Sequence, residues 1–97
     1  MTRTTALRVQ AGYALEAQQR AQEKKERGDL RWVADDFDCP DVMRLAALTE
    51  EIGEVARCLH DDDRGNLHHE LMQLAGVALA WGAAIDAQPS LLAEATP

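Results

Sequence analysis

Leu45, Leu48, Ile52, Val55 and Leu59 recur at intervals of 3, 4, 3 and 4 residues, and Leu67, Leu71, Leu74, Ala78, Trp81 and Ile85 repeat that spacing beyond the polar stretch HDDDRGN. Residues three and four apart share one face of an α-helix, so each run predicts an amphipathic helix with a single apolar seam. The first covers about 41–60 and the second about 66–87, closed by Pro89. A turn as short as HDDDRGN leaves the two helices no arrangement but antiparallel and adjacent.

The rest of the chain follows from this hairpin. Residues about 5–27 carry a weaker helical stripe of Leu7, Ala11, Ala14, Gln18 and Ala21, ended by Gly28. Residues 28–40 hold Gly, Pro and several Asp around Trp32 and Phe37, which predicts a loop pinned by two aromatics. The tail 88–97 is expected to form a short helix or to fray. With 17 Ala and 12 Leu against one Phe, one Tyr and two Trp, the composition is a helix former's and poor in strand residues. The expected fold is all-α, one domain over 1–97. A chain this short buries only about 65% of its unfolded surface, so an antiparallel bundle of this size is expected to be completed by a partner chain.

A formal charge of −7 and a pI near 4.8 provide no basic field to hold a polymer of phosphates. A small phosphate ligand is compatible with that charge, because bound divalent cations invert the local sign. Cys39 and Cys58 have no CxxC spacing, and the N-terminal segment has no apolar signal region, so the expectation is a reduced, cytoplasmic protein. No apolar run approaches the length of a membrane span.

Against this frame of helices the glutamates stand out. At 100° per residue, Glu51 lies about 80° from the centre of the 41–60 seam and Glu54 about 60° further round, in a stripe with Ala47 and Cys58. Glu50 points to the opposite, solvent side. On the following helix Glu70 lies about 60° from the seam, in a stripe with Asn66, Gln73 and Val77. In an antiparallel hairpin the two stripes can face each other. Three converging carboxylates repel, and partial burial raises the cost of each charge, so a hard divalent cation is the economical compensation. A single ExxE on a helix is usually solvated decoration, with Arg57 pairing Glu54 three residues on. Two stripes facing across one turn favour the site.

EEIGE at 50–54 and ELMQ at 70–73 together resemble the EExxE…ExxD signature of the MazG-like all-α nucleoside triphosphate pyrophosphohydrolases. QEKKERGDLRWV before the motif and QLAGVALAWGAAID after it are also similar to the flanking helices of small MazG-like proteins, so the resemblance covers about 18–87. It implies cleavage of a nucleoside triphosphate between the α and β phosphates, with Mg²⁺ (or Mn²⁺) as cofactor. It also implies assembly as a homodimer or homotetramer. Position by position, Glu51, Glu54 and Glu70 match the family's metal-binding and catalytic carboxylates, and Gln73 stands as a metal ligand where the family has Asp. An amide oxygen ligates Mg²⁺ without adding charge, so the site should hold metal more weakly. The alternative is a non-catalytic MazG-like module that binds nucleotide or a protein partner.

Other motifs carry less. HELMQ at 69–73 begins like a zinc-protease HExxH but has Gln73 where the second His is required. His69 lies about 160° from the apolar seam and is expected to be exposed, His60 and His68 rank below it as site candidates, and Cys58 is expected to be a small buried residue, since sulfur does not suit Mg²⁺. Asp61, Asp62 and Asp63 read as a solvated turn. Lys24, Lys25 and Arg27 lie where a triphosphate could be reached, with Lys25 as the candidate contact, and Trp32 either stacks on a base or pins its loop.

Overall fold

The computed structural model describes residues 1–88. It contains α1 (Arg3–Glu26), α2 (Asp41–His60) and α3 (Arg64–Ala87), and no strand among the described residues. The described residues are therefore all-α. The tail 89–97 and the closing role of Pro89 lie outside the described residues.

Capping explains the boundaries. Thr2 accepts a hydrogen bond from the Thr5 amide at 3.1 Å, and Asp63 accepts one from the Asn66 amide at 3.1 Å, so α1 and α3 each begin about two residues earlier than periodicity alone indicates. The C-terminal ends of α1 and α2 share one motif. Asp29 N donates to Lys24 O at 2.8 Å and Gly28 N to Lys25 O at 2.9 Å, while Asp63 N donates to Cys58 O at 2.8 Å and Asp62 N to Leu59 O at 3.3 Å. Both are Schellman caps, with Gly28 at φ 86° and Asp62 at φ 53° in the left-handed position.

α3 is the central element. α2 runs antiparallel to it: Asp41 meets Trp81 (Nε1 donates to Oδ1 at 3.1 Å), and Glu51 lies against Glu70 and Gln73. α1 runs parallel to α3 on its other side. Gln10 and the His68 ring share a 2.7 Å hydrogen bond, Tyr13 meets His68 edge-on with ring centroids 5.5 Å apart, and Ala14 backs onto Gly76. α1 and α2 pack on α3 but not on each other. The space between them is closed on one side by the 27–40 segment.

That segment is held by polar clamps. Arg44, only 2% exposed, donates from Nε to Ala34 O and from Nη2 to Asp36 O, each at 2.7 Å, and its Nη1 pairs with Asp41 at 2.7 Å. Lys25 Nζ reaches Asp36 from α1 at 2.7 Å, and Gln18 Nε2 donates to Asp35 at 3.0 Å. Burial pushes the Asp36 carboxyl up, but the hydrogen bonds from Lys25 and the Val33 amide and the charges of Lys25 and Arg44 outweigh it and hold it below its usual range. The expectation of a loop pinned by two aromatics is corrected here. Phe37 is 89% exposed, Trp32 is half-buried, and the buried anchors are Val33, Ala34 and Cys39.

The packing faces also depart from the expected seams. α1 packs through Ala14 and Ala17, with Gln18 and Ala21 half-buried, while Leu7 and Ala11 are exposed. α3 buries Gly76, Ala80 and Ala84, and its expected seam is left half-open, with Leu71 and Ile85 exposed. On α2 the buried side chains are Arg44 and Cys58, and Leu45, Ile52 and Leu59 are 55–61% exposed. Every buried apolar side chain among the described residues is an alanine, a cysteine or Val33. Small residues let the helices approach closely, while Leu48, Val55, Leu67 and Leu74 are only half-buried and Leu45, Ile52, Leu59, Leu71 and Ile85 are exposed.

Candidate functional site

The gap between α1, the 27–40 segment, α2 and α3 forms a cleft of about 900 Å³. Its two walls differ in charge. Glu51, Glu54, Glu70 and Gln73 line the α2–α3 side, joined by Glu50, which is exposed as expected but borders the cleft rather than facing away from it, while Arg20 and Lys24 of α1, with Arg31 and Trp32 of the loop, line the opposite side. Arg20 and Lys24 share an edge because four residues make about one helical turn. The Arg31 guanidinium lies over the Trp32 ring, 4.4 Å from its centroid, a cation–π contact that sets both side chains at the cleft wall.

On the acidic wall, the helical hairpin brings Glu51 and Glu70 into hydrogen-bonding contact, as the facing stripes predict. Burial first, then the hydrogen bond to Glu70 and the charges of Glu70, Glu50 and Glu54, push the Glu51 carboxyl from its ordinary range to about 7. Two carboxylates this close share a proton rather than both ionise. Glu54 is half-buried and is held by Arg57 one turn on, and among the described residues no three His, Cys, Asp or Glu side chains stand assembled as a metal cage. The donor chemistry nevertheless fits a hard divalent cation, which would replace the shared proton with oxygen ligation.

Gln73 sits between Glu51 and His69. With its amide oriented to satisfy both neighbours, its nitrogen donates to the two Glu51 carboxylate oxygens at 3.1 and 3.2 Å and its oxygen accepts from His69 Nε2 at 2.6 Å. His69 is exposed, as expected, yet it borders the cleft. Cys58 is buried, with burial foremost pushing its thiol up, as suits a packing residue rather than a thiolate ligand.

Of the two expected substrate contacts, Trp32 borders the cleft, whereas the Lys25 ammonium is committed to Asp36 and lies outside the lining. Arg20 and Arg31 were not singled out by sequence reasoning. Their signal was present as an i, i+4 pair of Arg20 with Lys24 and as an Arg–Trp dipeptide, but only the folded loop sets them across from the glutamates. Arg44 was missed as well, because a lone arginine near the start of an amphipathic helix ordinarily reads as solvated.

No described helix is long and apolar enough to cross a membrane. Comparison with protein-family models, with curated proteins and with solved structures gives no match for this chain.

Proposed function

We propose that this protein is a metal-dependent nucleoside triphosphate pyrophosphohydrolase of the kind its EEIGE and ELMQ segments resemble, converting a ribo- or deoxyribonucleoside triphosphate to the monophosphate and pyrophosphate. The observation that carries the reading is the Glu51–Glu70 contact on one wall of a cleft whose other wall presents Arg20, Lys24, Arg31 and Trp32. A nucleotide has the matching division, an anionic chain at one end and a flat aromatic base at the other.

Glu51 and Glu70 would hold Mg²⁺ or Mn²⁺, joined by Glu54 once it leaves Arg57; that pair is largely solvated, so its loss costs at most about 1 kcal/mol. Held there by Glu51 and Glu70, the ion would supply neutralisation of phosphate charge and a lowered pKa for a water nucleophile. Arg20, Lys24 and Arg31 bind and orient the phosphates by charge-assisted hydrogen bonds. Trp32 receives the base by stacking, with the Arg31 guanidinium already paired to one ring face.

The same reading includes self-association. Leu45, Ile52 and Leu59, spaced by seven, form an exposed apolar line along α2 while the monomer's buried apolar set is almost entirely small. A homodimer, alone or paired into a homotetramer, would cover that line with the matching line of a second copy. Two buried free thiols suit a reducing, cytoplasmic setting.

The test is pyrophosphate release from a panel of nucleoside triphosphates with Mg²⁺ or Mn²⁺, beside Glu54→Ala and Glu70→Gln. Metal-dependent release lost in both variants is the expected result. A second reading, a non-catalytic nucleotide- or protein-binding module, is favoured by Gln73 bonded to Glu51 and by Arg57 holding Glu54. Binding of nucleotide without any turnover would select it.

A further inference from the structure

Gln73 has three hydrogen-bonding neighbours in reach: both oxygens of Glu51 and the His69 ring. Its amide has one orientation that suits all of them, because the nitrogen facing His69 would turn the amide oxygen onto the lone pairs of a carboxylate. In the orientation that works, the N–H group bridges the two Glu51 oxygens and the carbonyl oxygen is taken by the His69 N–H, one turn back on α3. Each Glu51 oxygen therefore spends acceptor capacity on the amide. The amide's own acceptor points away from Glu51. For that oxygen to ligate a cation seated on Glu51, the amide must rotate and give up both contacts.

We infer that Gln73 is a neutral strut that positions Glu51, held in its orientation by His69, and that the acidic wall accordingly takes a single divalent cation per chain rather than two. The inference rests on the metal-dependent reading above and replaces the ligand role that sequence pattern assigns to Gln73. One cation finds Glu51, Glu70 and the releasable Glu54. A second would find the amide face of Glu51 and, as its one remaining carboxylate, Glu50, an exposed side chain on the same wall, and a close pair of dications needs more ligation and negative charge than that single solvated group adds.

Mn²⁺ stoichiometry decides this without any turnover. Equilibrium titration of the full chain with Mn²⁺, followed by electron paramagnetic resonance in the absence of nucleotide, is expected to give one ion per chain with an uncoupled spectrum. Gln73→Asp is expected to bring in a second ion and spin coupling between the two, with the helix content of the variant checked by circular dichroism. Two ions in the unaltered protein overturn the inference and leave the pyrophosphohydrolase reading standing. One ion in both proteins overturns the role of Gln73 in setting the count. No ion in the unaltered protein removes the metal site, and with it this inference and the metal-dependent pyrophosphohydrolase reading, leaving the non-catalytic module.

Discussion

Gly76 of α3 lies so close to α1 that a methyl group on it would sit 2.8 Å from the Ala14 carbonyl oxygen. That oxygen belongs to helix backbone and cannot swing aside, so the approach of the two helices depends on the missing side chain. Gly76→Ala is expected to destabilise the protein by about 1–3 kcal/mol. Gly12→Ala, where nothing lies within 4 Å of the added carbon, is expected to stabilise by about 0.5–1 kcal/mol. Urea denaturation of the two variants checks both signs.

The paired Schellman caps make a second contrast. Gly28 occupies the left-handed position without strain, while Asp62 holds a comparable backbone conformation with a Cβ. Asp62→Gly is therefore expected to stabilise, and Gly28→Ala to destabilise, each by about 1 kcal/mol. Thermal melts of both variants would show shifts of opposite sign.

Arg44 is the one buried charged side chain among the described residues, and it ties two loop carbonyls to α2. Arg44→Met roughly keeps the volume but strands the Ala34 and Asp36 carbonyls, and the expected loss is about 1–3 kcal/mol for each acceptor left buried without a donor. Amide hydrogen exchange offers a local readout. Protection of the Asp36 amide, which donates to Val33 O at 3.0 Å, should collapse well before that of α3.

Stability should fall as pH rises through the range where Glu51 titrates. Its folded-state pKa, about 7, lies above the ordinary value of 4.5, so between these pH values the folded chain holds a proton that the unfolded chain has released. Raising pH across this window therefore favours unfolding, and the penalty is complete above about pH 7. In chelator, the melting temperature should drop between pH 5 and pH 8, and Glu51→Gln should flatten the drop. Millimolar Mg²⁺ or Mn²⁺ should restore stability at pH 8, since an ion that binds only the folded state stabilises it by mass action.

The exposed line on α2 predicts the oligomeric state. Ile52→Glu places a charge at the centre of the Leu45–Ile52–Leu59 line, on a helix face that makes no contribution to the monomer's buried set. Sedimentation equilibrium should show the parent protein associated and the variant monomeric with its helix content retained. A parent protein that is monomeric at micromolar concentration would remove the proposed interface.

Helix positions were legible because they depend on local information, apolar recurrence at three and four residues and a short polar turn, whereas the Thr2 and Asp63 caps that set the starts of α1 and α3 were not read from the sequence. The facing of Glu51 and Glu70 was also legible, since an antiparallel hairpin with known angular positions leaves little freedom. Gln73 could be seen as the odd member of the acidic set, but not as a donor to Glu51, which depends on side-chain placement across two helices.

By itself, then, the sequence determined three helices, a hairpin and an acidic wall, all consequences of period and chain connectivity. Tertiary structure alone decided which helical face was spent on which neighbour. Periodicity measures where apolar side chains point, while close packing is governed by size, and here Ala14, Ala17, Gly76, Ala80 and Ala84 make the closest contacts because they are small. On α2 the Leu45–Ile52–Leu59 line is left outward, and the clamp of Arg44 on the 27–40 segment sets Arg31 and Trp32 opposite the glutamates. Neither outcome has a local signature, because each is set by contacts between residues distant in the chain.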